Sequence, residues 1–364
     1  MRSPPPRDSP SHPLQTILII KTGALGDVLR TTSILPGLKV LNPGTRIEWI
    51  TAPLARDLVV AHPDVDRTHL LDTSSLLELE KLAAELDQIA WDWVISLDDE
   101  EPLCALATRL GKARLSGAYH DAGGERVYSE DVAPWFDMGL LSVHGKQVAD
   151  RMKVENKRSH PEIYAQMLGI EMGRPLLPLQ EAGVLHAERL FKPLDKGTLV
   201  VGLNTGAGGR WTSKQLPTER TIELALEMNR TMGGPLAFVV LGGPDEIERN
   251  ADIVRGLRAA DGGPLVLDVG VNNSLPEFAA IVSRLDLLIT SDSLALHISV
   301  ACNVPIVAFF APTSAAEIEL YGLGEKVLSQ SPDYCSYRPD ADNSTLSTER
   351  LLDAVTRVCA DHTN

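Results

Sequence analysis

The chain has 364 residues, which at roughly 100–200 residues per domain predicts two domains. Apolar residues make up 44%, enough for two buried cores, and no apolar run reaches the ~18 residues that a membrane span needs. The formal net charge of −15 argues against nucleic acid as a non-specific partner, because the summed field repels phosphates; it leaves room for a local basic pocket holding one anionic ligand.

Residues 1–13 carry five prolines and no apolar core, so they are read as a disordered leader and not a signal peptide. The first strand is Thr16–Lys21, apolar and β-branched, bounded by proline before and glycine after. Helix-like spacing of Val28, Leu29, Ile34, Leu35, Leu38 and Leu41 follows, until Asn42-Pro43-Gly44 stops it. Strand-like segments then alternate with helix-like ones. The strands are Arg46–Thr51, Thr68–Leu71, Trp93–Leu97 and Ala113–Gly117, and the helices include Ser75–Ile89 and Pro102–Leu110. Strand–helix alternation of this kind predicts a parallel sheet covered on both faces.

Residues 120–160 break the rhythm. They are polar and aromatic, with His120, Tyr128, Trp135, Phe136 and His144, and are read as an insertion carrying specificity, not core. Within them Arg151, Lys153, Lys157 and Arg158 form a basic cluster. A solvated surface explains that cluster; the sharper reading is contact with an acidic glycan or a membrane surface. A helix is expected near Pro161–Leu168, and residues 176–198 read as an interdomain linker.

The pattern restarts at Leu199–Asn204. Strands are expected at Leu236–Leu241, Leu265–Val269, Asp286–Thr290 and Pro305–Phe309. Helices are expected at Thr218–Met232, Asp245–Leu257, Pro276–Arg284 and Ser293–Cys302. The domains are therefore expected at residues 14–175 and 199–345. An amphipathic helix within residues 346–364 is expected to cross back onto the first domain. The four cysteines (Cys104, Cys302, Cys335 and Cys359) form no CxxC pair and read as inert thiols in a reducing, cytoplasmic compartment.

Ligands of doubly wound sheets bind beyond the strand C-termini, and four such loops carry chemistry-bearing residues. In Thr22-Gly23-Ala24-Leu25-Gly26-Asp27 the glycines permit a tight turn. Asp27 is either a helix N-cap or a general base kept ionised by the helix dipole. The loop Asn204–Lys214 offers small residues for close backbone approach to an anion, with Arg210 and Lys214 to neutralise it; the alternative is a flexible loop with solvated bases. Trp211 reads as packing or a lid. Leu241-Gly242-Gly243-Pro244-Asp245-Glu246 admits a nucleotide edge, or its acidic pair caps the next helix. Thr290-Ser291-Asp292-Ser293-Leu294-Ala295-Leu296-His297 opens a helix whose first N–H groups suit a phosphate, with Asp292 as cap or sugar-hydroxyl acceptor and His297 one turn in.

In order, KTGALGDVLRTTSILPGLK, NTGAGGRWTSKQLP, VVLGGPDE and DLLITSDSLALHISVACNVPIVAFFAPT resemble the motifs of ADP-heptose:lipopolysaccharide heptosyltransferases, glycosyltransferase family 9. The resemblance spans roughly residues 16–325. It implies a GT-B fold, two doubly wound Rossmann-like domains facing a cleft, with acceptor on the first and donor on the second. It implies inverting transfer of heptose from ADP-L-glycero-β-D-manno-heptose, or another nucleotide sugar, to a lipopolysaccharide core or related glycan acceptor, lipid-linked or free. No cofactor or metal is implied. Cytoplasmic residence is expected, with peripheral contact at the inner face of the inner membrane as a further expectation.

By the same resemblance Asp27 is the catalytic residue. Donor contacts fall to Thr205, Gly206, Lys214, Gly242, Gly243, Asp292, Ser293, Leu294 and His297, and acceptor contacts to Lys21, Gly26 and Arg30. Lys214 is matched to donor phosphate, Asp292 to the heptose hydroxyls and Ser293 to the diphosphate-binding helix start. The sequence departs from the family pattern at Leu294, where many relatives have glycine, and at SKQLP, where lysine–arginine–tryptophan–proline is commoner. Rival readings are another GT-B enzyme such as a sugar-nucleotide epimerase, and a non-catalytic sugar-nucleotide-binding protein. A nicotinamide dehydrogenase is disfavoured because no strand is followed by a complete GxGxxG.

Overall fold

A computed structural model describes residues 14–208 and 211–362. The leader expected at residues 1–13, and Arg210, lie outside the described residues. The described residues divide into two compact units, one holding those up to 149 together with 161–173, the other those of 150–160 and from 174 on.

The first unit is built on β1 (Thr16–Ile20), β2 (Arg46–Thr51), β3 (Arg67–Leu70), β4 (Trp93–Ser96), β5 (Leu115–His120) and β6 (Arg126–Tyr128). They lie in the order β3-β2-β1-β4-β5-β6. β1 is central because its β-branched residues are buried on both faces, as parallel strands require; Ile17 pairs with Ile47 on one side and Trp93 on the other. Each fully buried Ile or Leu there contributes about 1.5–3 kcal/mol of hydrophobic stabilisation. The unit's helices are α1 (Leu25–Thr31), α2 (Ile34–Leu41), α3 (Arg56–Val59), α4 (Leu76–Leu86), α5 (Glu101–Leu110) and α6 (Ala133–Phe136); α7 (Lys146–Glu155) passes into the second unit at Asp150, and α8 (His160–Leu168) lies in the first from Pro161 on. The single helix expected after β1 is thus two, parted at Thr32-Ser33.

Two features depart from expectation. β6 runs antiparallel to β5, so the sheet is parallel only as far as β5. The segment after residue 120 is not a mere surface insertion, since Val132, Phe136 and Met138 are buried in the unit. Strand β2 also buries a charge. Glu48, fully buried, is paired with His69 and with the half-exposed Arg46, which offsets the cost of desolvating its carboxylate.

The second unit carries α9 (Glu181–Phe191), β7 (Leu199–Asn204), α10 (Thr218–Thr231), β8 (Leu236–Val240), α11 (Ile247–Ala259), β9 (Leu265–Asp268), α12 (Leu275–Val282), β10 (Leu287–Ser291), α13 (Leu294–Ala301), β11 (Ile306–Phe310), β12 (Gly324–Leu328) and α14 (Thr348–His362). The strand order is β12-β11-β10-β7-β8-β9, parallel throughout. Residues 176–198, expected as linker, contain α9, whose Gly183 packs so tightly on α12 that an added Cβ would lie 2.4 Å from the Pro276 carbonyl. The expected return of the last helix to the first domain is corrected. The apolar face of α14 (Leu351, Ala354, Val355 and Val358) is buried in the core of its own unit, against α10, β11 and β12.

Candidate functional site

Both sheets reverse their winding beside the first strand, between β1 and β4 and between β7 and β10. At such switch points the loops leaving the two strands splay apart and leave room for ligands. The four loops singled out in sequence include the one after β1, the one after β7 and the one after β10.

In the first unit, the loop after β1 is held from below. Lys21, buried, donates from Nζ to Asp98 Oδ1 and to the Gly23 carbonyl. The other Asp98 oxygen accepts from the Thr22 amide and, at 2.9 Å, from the Thr22 hydroxyl. Trp49 Nε1 donates to the Lys21 carbonyl at 3.0 Å. Lys21, expected at the acceptor, braces the loop through these bonds. Asp98 was missed because Asp98-Asp99-Glu100-Glu101 reads as a solvated acidic run, whereas its first member, directly after β4, turns inward. The Glu100 carboxyl, two residues on, is held above the usual range by loss of solvation, reinforced by the Asp98 charge.

α1 starts in this loop with Ala24 as N-cap, so Asp27, at the third helical position, is not the cap. Its Oδ1 lies 2.8 Å from Arg30 Nη2, one turn on, and its side chain is 39% exposed against 15% for Arg30. Asp27, Gly26 and Arg30 thus share the first turns of one short helix, with the aspartate the more open of the two charged groups.

In the second unit, the loops after β7 and β10 converge. Asn204, the last residue of β7, donates from Nδ2 to Thr290 Oγ1 and Ser293 Oγ, both at 3.0 Å. Lys214 reaches across from the 3-10 turn Thr212–Lys214 to the Asp292 carbonyl at 2.9 Å and its carboxylate at 3.0 Å. His297 Nε2 lies 3.9 Å from the other Asp292 oxygen. Ser293 is the N-cap of α13, yet its hydroxyl makes no cap bond and turns instead to Asn204 and Thr290. No side chain caps the first amides of α13 among the described residues, and the helix dipole favours an anion there. Leu294, the first residue of α13, puts a half-buried aliphatic side chain at that helix start.

The glycines after β7 and β8 have a reason other than ligand approach. A Cβ at Gly206 would lie 2.5 Å from Glu246 Cγ, and one at Gly242 would lie 2.6 Å from Asn250 Nδ2. Glu246 is buried and ties the two loops, accepting from the Gly208 amide on one oxygen and the Gly243 amide, at 2.7 Å, on the other. Its bond to Gly243 is the capping interaction; the second bond is what sequence reasoning lacked. Arg249, one turn on, donates to Thr205 Oγ1 at 2.8 Å and to the Leu216 carbonyl, closing the same loop from its far end. Spacing gave a signal for this pair, since Glu246 and Arg249 sit three residues apart directly after Gly242-Gly243. Trp211 packs edge-on against Tyr337 at 6.4 Å, the packing alternative.

Of the basic cluster, Lys153 lies over the Tyr337 ring at 4.2 Å, and Arg151 lines a small cavity of about 240 Å³ with Cys335 and Tyr337. All four cysteines are free, and burial pushes the Cys104, Cys302 and Cys335 thiols up to about 11. Among the described residues no group of metal-ligating side chains comes together and no helix is long and apolar enough to cross a membrane.

Comparison with known proteins follows this geometry. The model of glycosyltransferase family 9 (heptosyltransferase) matches residues 128–345. Lipopolysaccharide heptosyltransferase 1 of Pseudomonas aeruginosa is 22% identical over 350 residues, covering 91% of this chain and 90% of that protein. The glycosyltransferase family 9 structure from Veillonella parvula superposes with a TM-score of 0.76 at 20% identity, covering 97% of this chain and all of its own. Escherichia coli ADP-heptose lipopolysaccharide heptosyltransferase II does so with a TM-score of 0.66 at 17% identity, covering 96% of this chain and all of its own.

Proposed function

The chain belongs to glycosyltransferase family 9, the heptosyltransferases, and on that premise we propose that it transfers heptose, with inversion, from an ADP-heptose donor to a glycan acceptor of the lipopolysaccharide core type. The donor and acceptor are those in the names of its relatives. The observation that carries the reading is the start of α13. Amides left uncapped by Ser293, with Lys214 alongside on Asp292, favour an anion such as a diphosphate at this helix start.

An acceptor hydroxyl attacks the anomeric carbon from the face opposite the diphosphate, and Asp27 takes its proton. The carbon–oxygen bond to ADP breaks as the new glycosidic bond forms. The charge that develops on the leaving diphosphate is met by Lys214 and by the α13 amides, donors already in place before the reaction. Asp292 is expected to hold heptose hydroxyls, with His297 beside it; Thr205, Gly206, Gly242 and Gly243 line the donor loops. On this reading transfer proceeds without a metal cofactor, and activity persists in a chelating buffer. Acceptor glycans of this class are lipid-linked, and peripheral contact with an anionic membrane surface is part of the proposal. Leu140 and Val143, 90% and 74% exposed and followed by Lys146, support that contact. Co-sedimentation with anionic vesicles tests it.

The function is tested by following ADP release from a panel of nucleotide sugars with and without a deacylated, heptose-free inner-core glycan. Acceptor-dependent release from ADP-heptose is expected. Turnover without acceptor points to an epimerase, and binding without turnover points to a non-catalytic protein.

A further inference from the structure

We propose that Arg30 is the positioning residue of the Asp27 base, and that Trp135 is the platform that holds Arg30 in place. The inference rests on the reading of Asp27 as the base. Arg30 projects from the same short helix as Asp27, and its Nη2 lies 2.8 Å from Asp27 Oδ1. Its guanidinium carbon lies 5.4 Å from the Trp135 ring centroid, within the range over which a cation is drawn to an aromatic face. Trp135 is in turn fixed, edge-on against the buried Tyr164 at 5.5 Å. The strand and helix that deliver Trp135 are pinned as well. Tyr128 donates from its hydroxyl to Asp137 Oδ1 at 2.6 Å, accepts the Val143 amide at 3.1 Å, and stacks on Phe136 at 5.3 Å.

This arrangement decides between two roles for Arg30. A residue that recognises an acceptor presents its donors to solvent. Arg30 does the opposite. It is 15% exposed, it turns Nη2 to Asp27, and its ring-facing side lies over Trp135. Asp27, at 39% exposure, is the one open to a substrate hydroxyl. The guanidinium fixes which oxygen of Asp27 faces out, and an adjacent positive charge favours the ionised carboxylate that a base requires. The polar, aromatic stretch after residue 120 thereby acquires a task. It reaches the reaction through Trp135, Arg30 and Asp27 and not by touching substrate. Lysine is a poor replacement, because a point charge lacks the planar face that lies over Trp135.

The test uses the full chain with ADP-heptose and a deacylated heptose-free core glycan, measuring kcat, both KM values and the pH profile of kcat. Arg30→Leu is expected to lower kcat about 10²-fold, the cost of a misplaced catalytic group. Both KM values should stay within about twofold of wild type, as for an interaction made only in the transition state. The acid limb of the pH profile should move to higher pH as the carboxylate loses its cation. Arg30→Lys should restore the acid limb while recovering only part of kcat. Trp135→Leu should lower kcat in the same direction, and less. Thermal melting checks that each variant is folded, and the Trp135→Phe variant, which keeps an aromatic face, covers the case in which Trp135→Leu is not. A raised acceptor KM with an unmoved acid limb would overturn the proposal in favour of acceptor binding. An unchanged kcat would overturn it outright. Asp27→Ala, assayed in parallel, separates this from failure of the base assignment: near-normal turnover there removes the base, whereas an inactive Asp27→Ala beside an unaffected Arg30→Leu removes only the positioning role.

Discussion

The two switch points carry the same pair of charges and use them differently. After β1 and β4 stand Lys21 and Asp98; after β7 and β10 stand Lys214 and Asp292. The first pair is closed, with side chains 9% and 5% exposed. The second is open, at 19% and 20%. A closed pair that also holds the Gly23 carbonyl and the Thr22 amide and hydroxyl braces its loop. An open pair beside an uncapped helix start can exchange partners, with Lys214 passing from Asp292 to a phosphate oxygen. One topology thus yields a rigid mount for Asp27 and a loadable anion site.

The comparison breaks most visibly in stability. Asp98→Ala leaves a buried ammonium without its partner and is expected to cost about 3–5 kcal/mol. Asp292→Ala, at the open pair, is expected to cost roughly 1 kcal/mol or less. Denaturant unfolding of the two variants side by side checks the contrast, and equal losses would erase it. Next in size, Lys214→Ala should lower kcat about 10²–10³-fold, as for loss of one donor at a developing charge, with little change in unfolding midpoint.

A smaller effect is expected at Gly206→Ala. The added methyl meets Glu246 2.5 Å away and must displace the side chain that ties the Gly208 and Gly243 loops. About 1–3 kcal/mol of overpacking strain is expected, read as a lower melting temperature and a higher donor KM. Smallest is Glu100→Gln beside the closed pair. Because the Glu100 carboxyl is held above its ordinary 4.5 by loss of solvation, then by Asp98, its proton is bound more tightly in the folded chain. Its contribution to stability is therefore full below pH 4.5 and lost as the pH rises through the raised value. The glutamine variant should melt slightly higher at pH 7 and show a flatter pH dependence just above 4.5.

Sequence made the open site far more legible than the closed one. β7 and β10 announce themselves as apolar, β-branched runs, and the loops after them contain Lys214, Asp292, Ser293 and His297 in plain view. Their convergence needs only the strand order. Asp98 is different: within LDDEE nothing distinguishes an inward carboxylate from its solvated neighbours, and only the pairing of β1 with β4 brings it under Lys21. Edge strands were equally obscure. β12 reads Gly-Glu-Lys-Val-Leu with only Val327 buried, and β6 is three residues long, so neither has the apolar run by which strands are found. The periodicity of α14 was correct, but an amphipathic face does not say which core it covers; α14 covers the one on β11 and β12.

Asp27 is the open carboxylate on the rigid mount. The most direct measurement is acceptor-dependent ADP release by Asp27→Ala, paired with the melting shift that ADP-heptose induces in the same variant. Release lowered about 10²–10⁴-fold, the span expected for losing a general base, with the donor-induced shift retained, is the predicted result. Near-normal release from a folded variant would contradict it.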